Sequence, residues 1–215
     1  AGLSSIAIRV PASPIARGVI EATGRPIAAP SANRSGHVSP TSADHVLADL
    51  EGRIDAVVMG EDAAVGVEST ILSLLDDQPR LLRPGGVTRE ALSACLGGVP
   101  ILDAAESTDT APLAPGMLQS HYAPHAAVRL DVEEIQKGEA VMLFGSYRPS
   151  GLDQAKAVIN LSESGDLAEA ASVLFGALRQ LDRSGAETIA VAPIPSQGLG
   201  EAIRDRLQRA AAPRS

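Results

Sequence analysis

The chain has one cysteine, Cys95, and no lysine before Lys137. A single thiol excludes an intramolecular disulfide, and within ALSACLGG it reads as a small buried hydrophobe on a helix rather than a nucleophile. Long apolar runs are also missing. No segment is apolar for long enough to span a bilayer and no secretory pattern is seen, which points to a cytoplasmic location without a membrane partner. Positive charge is scarce: Lys and Arg total 18 against 26 Asp and Glu, a formal net charge of −8. Neither half is basic, with 8 Arg against 14 acids in residues 1–110 and 10 basic residues against 12 acids in residues 111–215. That balance excludes a broad non-specific nucleic-acid surface and favours small anionic ligands held in a pocket.

The segment from Ala29 to Thr41, APSANRSGHVSPT, is the most informative stretch present. Pro30, Gly36 and Pro40 break regular structure, while Ser31, Asn33, Ser35, Ser39 and Thr41 supply uncharged donors and acceptors. An apolar-periodic stretch with Val46, Leu47 and Leu50 follows, so the spacing predicts a helix whose N-terminal N–H groups point back at the loop, a geometry that holds phosphate. A capped helix after a Ser-rich turn would give the same pattern without a ligand.

At 215 residues the chain fits one large or two modest domains. Strands are expected at Ser5–Val10, Pro26–Ala29, Ile54–Met59, Ser69–Leu75 and Leu81–Leu82, with helices at Ile15–Ala22 and after Thr88. Ala104 to Pro124 is rich in Ala, Pro and Ser and reads as a linker. Beyond it, strands at Val128–Leu130, Ala140–Phe144, Ala157–Asn160 and Thr188–Ala192 alternate with helices at Asp166–Arg183 and Gly198–Ala211, the pattern of a small doubly wound α/β sheet. The Gly and Ser residues of Phe144-Gly145-Ser146 and Pro195 to Gly200 are a weak nucleotide signal, lacking the third glycine and downstream acid of a dinucleotide fingerprint.

The Ser-rich loop, Gly66-Val67-Glu68-Ser69-Thr70, Leu82-Arg83-Pro84-Gly85-Gly86, Ala114-Pro115-Gly116-Met117 and His121-Tyr122-Ala123-Pro124 occur in an order that resembles the threonylcarbamoyl-AMP synthases of the two-domain form. The resemblance implies an α/β fold: the C-terminal part of a YrdC-type twisted synthase domain in residues 1–103, a linker in 104–125, and a small Rossmann-like doubly wound domain in 126–215. It also implies the reaction. L-threonine and bicarbonate or CO₂ combine as N-carboxythreonine, whose carboxylate attacks the α-phosphate of ATP, giving threonylcarbamoyl-AMP and pyrophosphate. A downstream threonylcarbamoyl transferase then modifies tRNA to threonylcarbamoyladenosine; direct tRNA binding by this chain is not indicated. Family members begin with a Lys-x-Arg segment that grips triphosphate, and its absence gives the expectation that the chain lacks the first half of the synthase domain and is incomplete on its own.

Carried over by motif, Ser5, Asn33, Ser39, Thr41, Arg83 and Tyr122 are similar to ATP contacts, and Arg9, Ser31 and Ser69 to L-threonine contacts. No catalytic residue is identified. Read without the resemblance, Arg9 is a strand-end surface charge and Ser69 part of a strand-entry turn. ATP is expected as substrate with Mg²⁺, brought in by its phosphates and keeping most of its waters; Glu68 could reach that ion or serve as a cap or turn residue. His121 and His125 are spaced as i and i+4, but Pro124 opposes a helix and no third ligand accompanies them, so no protein metal site is expected. His37 and His45 read as loop and helix-surface residues. Two alternatives stay open: a binding or interaction fragment without turnover, and a related carbamoyltransferase domain, which the HYAP linker and terminal domain disfavour.

Overall fold

The computed structural model describes residues 5–104 and 122–213. Its first elements are two short helices, α1 (Pro14–Thr23) and α2 (Ala43–Leu50), each started by a serine that accepts a backbone N–H, Ser13 and Ser42 respectively. A small sheet follows, made of β1 (Ile71–Ser73), β2 (Arg80–Arg83) and, after helix α3 (Arg89–Cys95), β3 (Leu102–Asp103). β1 pairs antiparallel with β2, and β2 parallel with β3.

The second sheet contains β4 (Ala127–Arg129), β5 (Ala140–Leu143), β6 (Ala157–Asn160) and β7 (Thr188–Val191), all parallel in the order β4-β7-β5-β6. Helix α4 (Leu167–Arg183) joins β6 to β7, and α5 (Leu199–Ala211) follows β7. β5 is buried at all four residues, as a parallel strand covered on both faces must be. Alternation divides it between two clusters. Ala140 and Met142, with Ile189 and Val191 of β7, pack against Leu174, Phe175, Leu178 and Leu181 of α4 and Ile203 and Leu207 of α5. Val141, Leu143, Ala190 and Ala192 face Val132, Ile135, Leu152 and Ala155 on the other side.

That second cluster corrects one expectation. Both long helices lie on one face, whereas a doubly wound sheet carries helices on both; the opposite face is covered by loop residues and a single 3₁₀ turn, Leu152–Gln154. The β5–β6 connection contains Gly145, Pro149 and Gly151 and is too broken to hold a full helix.

Further differences concern residues 5–60. Ser5–Val10, Pro26–Ala29 and Ile54–Met59 form no strand. Their apolar side chains are exposed apart from the half-buried Val57, Ile6 and Ile8 at 83% and 84%, because a strand exists only through its ladder and no described residue supplies one. Cys95 is exposed too, at the last turn of α3 before Gly97 and Gly98, a helix with no buried residue. The expected linker lies mostly outside the described residues, as do Ala114 to His121.

The turn before β1 meets helix α4 through close backbone contact. Gly66 has φ +72°, and a Cβ there would collide with the Ala171 carbonyl and the Ser172 backbone of α4. Gly66→Ala is expected to lower stability by roughly 3 kcal/mol or more, since helix backbone cannot move aside. Gly97→Ala, at φ +73° in open space, should cost only about 1 kcal/mol. Thermal unfolding of the two variants checks the difference, and equal melting temperatures would contradict it.

Candidate functional site

The hydroxyl-rich loop is built largely from its own hydrogen bonds. The Ser31 hydroxyl donates to Asn33 Oδ1 at 2.5 Å, and Asn33 Nδ2 donates to the carbonyls of His37 at 2.8 Å and Arg34 at 3.0 Å. This fixes the loop with Ala32 at φ +56°. Thr41 closes its far end, its backbone N–H donating to His45 Nδ1 at 3.3 Å and its hydroxyl lying 3.3 Å from the same nitrogen. Burial, together with the Arg179 and Arg183 charges, holds the His45 imidazole below its ordinary value, so it stays neutral and keeps Nδ1 as acceptor. His45 is therefore a partner of a candidate ligand residue rather than a helix-surface residue. His37 is more than a loop residue as well, its ring meeting that of His125 edge-on with centroids 5.8 Å apart.

Ser39 points inward and is 4% exposed. Its hydroxyl donates to Glu68 Oε1 at 2.6 Å, while Glu68 Oε2 accepts from Arg206 Nε at 2.7 Å. Glu68 thus bridges the hydroxyl-rich loop and α5. The GVEST segment is pressed against LRPGG so tightly that a Cβ on Gly85 would meet the Glu68 and Ser69 backbone. Arg83, at the end of β2, donates Nε and Nη2 to the Ser69 carbonyl at 3.1 and 2.8 Å, and its guanidinium interacts with the Tyr122 hydroxyl. Arg9 approaches the same serine from the other side, with Nη1 3.4 Å from Ser69 Oγ.

Tyr122 is 1% exposed and has φ +61°. Its ring packs on Phe175 of α4, centroids 5.5 Å apart, and the Arg206 guanidinium lies 5.3 Å from its centroid. Burial, reinforced by the Glu68 charge, pushes the phenol above its ordinary range, so it remains a neutral hydroxyl. The next residue ties the segment to the loop: Ala123 N donates to the Gly36 carbonyl at 3.1 Å.

One continuous chain of contacts therefore joins Ser39, Glu68, Arg206, Tyr122, Arg83, Ser69 and Arg9. Five of the nine candidate ligand residues belong to it. Ser31, Asn33 and Thr41 form the adjoining loop, and Ser5 is exposed at the start of the described residues. The two residues missed by motif reading are Glu68 as a bridge and Arg206 as its partner. A signal existed, since Arg206 falls on the apolar stripe of α5 with Ile203, Leu207 and Ala210. His125 Nδ1 lies 2.8 Å from Asp182 Oδ2, and His121 lies outside the described residues.

Around Glu68 the balance of forces sets a pH dependence. Burial raises the carboxyl, but the Arg206 charge and the hydrogen bonds from Ser39 and Arg206 outweigh it and hold the group below its ordinary 4.5. A depressed folded-state pKa gives stability that is fully present above 4.5 and is lost as pH falls through the folded value. Urea unfolding of wild type and Glu68→Gln should differ by a constant amount near neutrality, and the gap should close in acid below that value. A gap independent of pH would contradict the ion pair.

A family model described as threonylcarbamoyl-AMP synthase, C-terminal domain, matches residues 87–212, and one described as telomere recombination matches residues 1–85. The chain is 39% identical over 222 residues to the threonylcarbamoyl-AMP synthase of Bacillus subtilis, covering 98% of this chain and 64% of that protein. The Pyrococcus abyssi protein of the same name is 41% identical over 226 residues, again covering 64% of its length. Among solved structures, P. abyssi Sua5 complexed with L-threonine superposes with a TM-score of 0.82 at 37% identity, covering 98% of this chain and 65% of that one. A variant of that protein with a histidine and the following tyrosine replaced by alanine gives 0.83 at 37% identity, covering 98% of this chain and 64% of the other. The chain thus spans just under two thirds of the length of these relatives. Its α/β fold with a parallel sheet, the ordered motifs and these matches together place the chain in the threonylcarbamoyl-AMP synthase family.

Proposed function

We propose that the protein carrying this chain is a threonylcarbamoyl-AMP synthase, joining L-threonine, bicarbonate and ATP into threonylcarbamoyl-AMP with release of pyrophosphate. The observation that supports it best is the convergence of Arg9 and Arg83 on Ser69, one through the hydroxyl and one through the carbonyl. Two guanidiniums beside one hydroxyl suit an amino-acid carboxylate next to a polyphosphate. In this reading Arg9, Ser31 and Ser69 hold threonine. Ser5, Asn33, Ser39, Thr41, Arg83 and Tyr122 surround ATP.

The chemistry asks for alignment more than for a nucleophilic side chain. Threonine's amine attacks the carbon of CO₂ and loses a proton, and the new carbamate oxygen attacks the α-phosphorus as the bond to pyrophosphate breaks. The site must hold two anions in line, stabilise charge on the phosphoryl oxygens and keep water from a labile product. Hydroxyls, an amide and arginines do this without changing protonation state. Glu68 is engaged by Ser39 and Arg206. The cation is taken to arrive with the ATP phosphates, retaining water.

The division into residues 1–103, 104–125 and 126–215, the cytoplasmic location and a tRNA-acting transferase as recipient of the product are part of the same proposal. Among the described residues no helix is long and apolar enough to cross a membrane.

In the whole protein, pyrophosphate release is expected only when threonine and bicarbonate are both supplied; equal release without bicarbonate would replace the carbamate route by direct threonine adenylation. Arg83→Lys keeps the charge but loses the fork that grips two acceptors. It should weaken ATP binding about tenfold with little loss of fold, and unchanged ATP affinity in calorimetry would remove Arg83 from the site.

A further inference from the structure

Arg206 is 0% exposed, yet it sits among Ala202, Ile203, Leu207 and Ala210 on the inward face of α5. A buried ion pair is a poor stabiliser compared with apolar side chains of similar volume. Stability alone therefore does not account for a guanidinium in this stripe. Its contacts suggest another use. Nε reaches Glu68 Oε2 at 2.7 Å, Nη1 is held by Asp205, the ring of Tyr122 covers its face, and Nη2 is buried with no hydrogen-bond partner among the described residues. Arg206 is thus enclosed by protein and cannot reach a substrate.

Glu68 spends its two oxygens on two parts of the fold. One accepts from Ser39 in the hydroxyl-rich loop and the other from Arg206 in α5, while the next residue, Ser69, receives Arg83 and Arg9. The residues read as contacting ATP and threonine are therefore set relative to each other through one carboxylate, and that carboxylate is set by Arg206. Two further ion pairs hold the same surfaces together without using Glu68. Arg179 of α4 pairs bidentately with Asp49 and donates to the Val38 carbonyl next to Ser39. Arg89 pairs with Glu201 of α5. Loss of Arg206 would therefore leave the surfaces docked while freeing Glu68 alone.

We propose that Arg206 is a positioning residue: acting through Glu68, it holds the Ser39 loop and the Ser69 turn in the relative arrangement that the two substrates require, without touching either. The inference rests on the synthase reading above for its kinetic consequence, but not for its structural one.

The test uses the whole protein with Arg206→Met, which removes the charge while keeping an unbranched apolar chain, and Glu68→Gln, which is isosteric. Hydrogen exchange followed by mass spectrometry should show amides of residues 38–41 and 66–70 exchanging about tenfold faster or more in both variants by local opening, at rates insensitive to low urea, while β5 and β7 exchange only through urea-sensitive global unfolding. Steady-state assays should show KM for threonine and for ATP rising about tenfold together with a lower kcat. A merely structural role lowers the folded fraction, and so lowers kcat at unchanged KM; that outcome, or unchanged exchange in both loops, would overturn the proposal. Should Arg206→Met fail to fold, Glu68→Gln decides by the same two readouts. A wild-type protein that makes no adenylate would refute the synthase reading, and the exchange measurement would still decide this one.

Discussion

The contact between Glu68 and Arg206 organises the molecule around it. Glu68 comes from the turn before β1, and Arg206 from the last helix, 138 positions later. Both charges are largely removed from water, with side-chain exposures of 16% and 0%. Desolvation opposes each, and only the pairing, the Ser39 hydroxyl, Asp205 and the Tyr122 ring offset it. Removing either partner leaves a buried charge without compensation, a loss of about 3–5 kcal/mol.

Other features of the fold follow from bringing these groups together. Gly66 lets the turn approach the α4 backbone and Gly85 lets the LRPGG turn approach GVEST, so that neither side chain holds Glu68 away from α5. Tyr122 and Val38 enter the same apolar cluster as α4 and α5, so the hydroxyl-rich loop is anchored in the core of the parallel sheet rather than in the small sheet beside it. The candidate site is consequently a junction. Its candidate ligand residues come from loops and the end of β2 in the first half, with Tyr122 beyond them, and their support comes from helices of the second.

Much of the second sheet was legible in the sequence. AVML in β5 is a short apolar run buried on both faces, and Asp166 opens α4 by accepting from Ala168 and Glu169, so both follow from local pattern. Ser5–Val10 and Ile54–Met59 have the same apolar composition but no ladder among the described residues, and composition does not encode a pairing partner. The two-residue β3 is too short to leave a periodic trace. At the site, Ser39, Ser69, Arg83 and Arg9 were named as candidates only through the resemblance of their motifs to the synthase family; read alone, Arg9 is a strand-end charge and Ser69 part of a turn. The bridge between them was not, because it depends on which face of α5 meets which turn. An arginine on an apolar stripe and an acid inside GVEST each needed the other to be understood.

The most direct measurement of this account is a double-mutant cycle on Glu68→Gln and Arg206→Met in the whole protein, read by urea unfolding at neutral pH. A contact that organises both halves requires strong coupling: the two single changes should sum to well above the double change, with a coupling energy of about 2 kcal/mol or more. Additive effects within about 0.5 kcal/mol would mean that the two residues act independently and that the site is held together by other contacts.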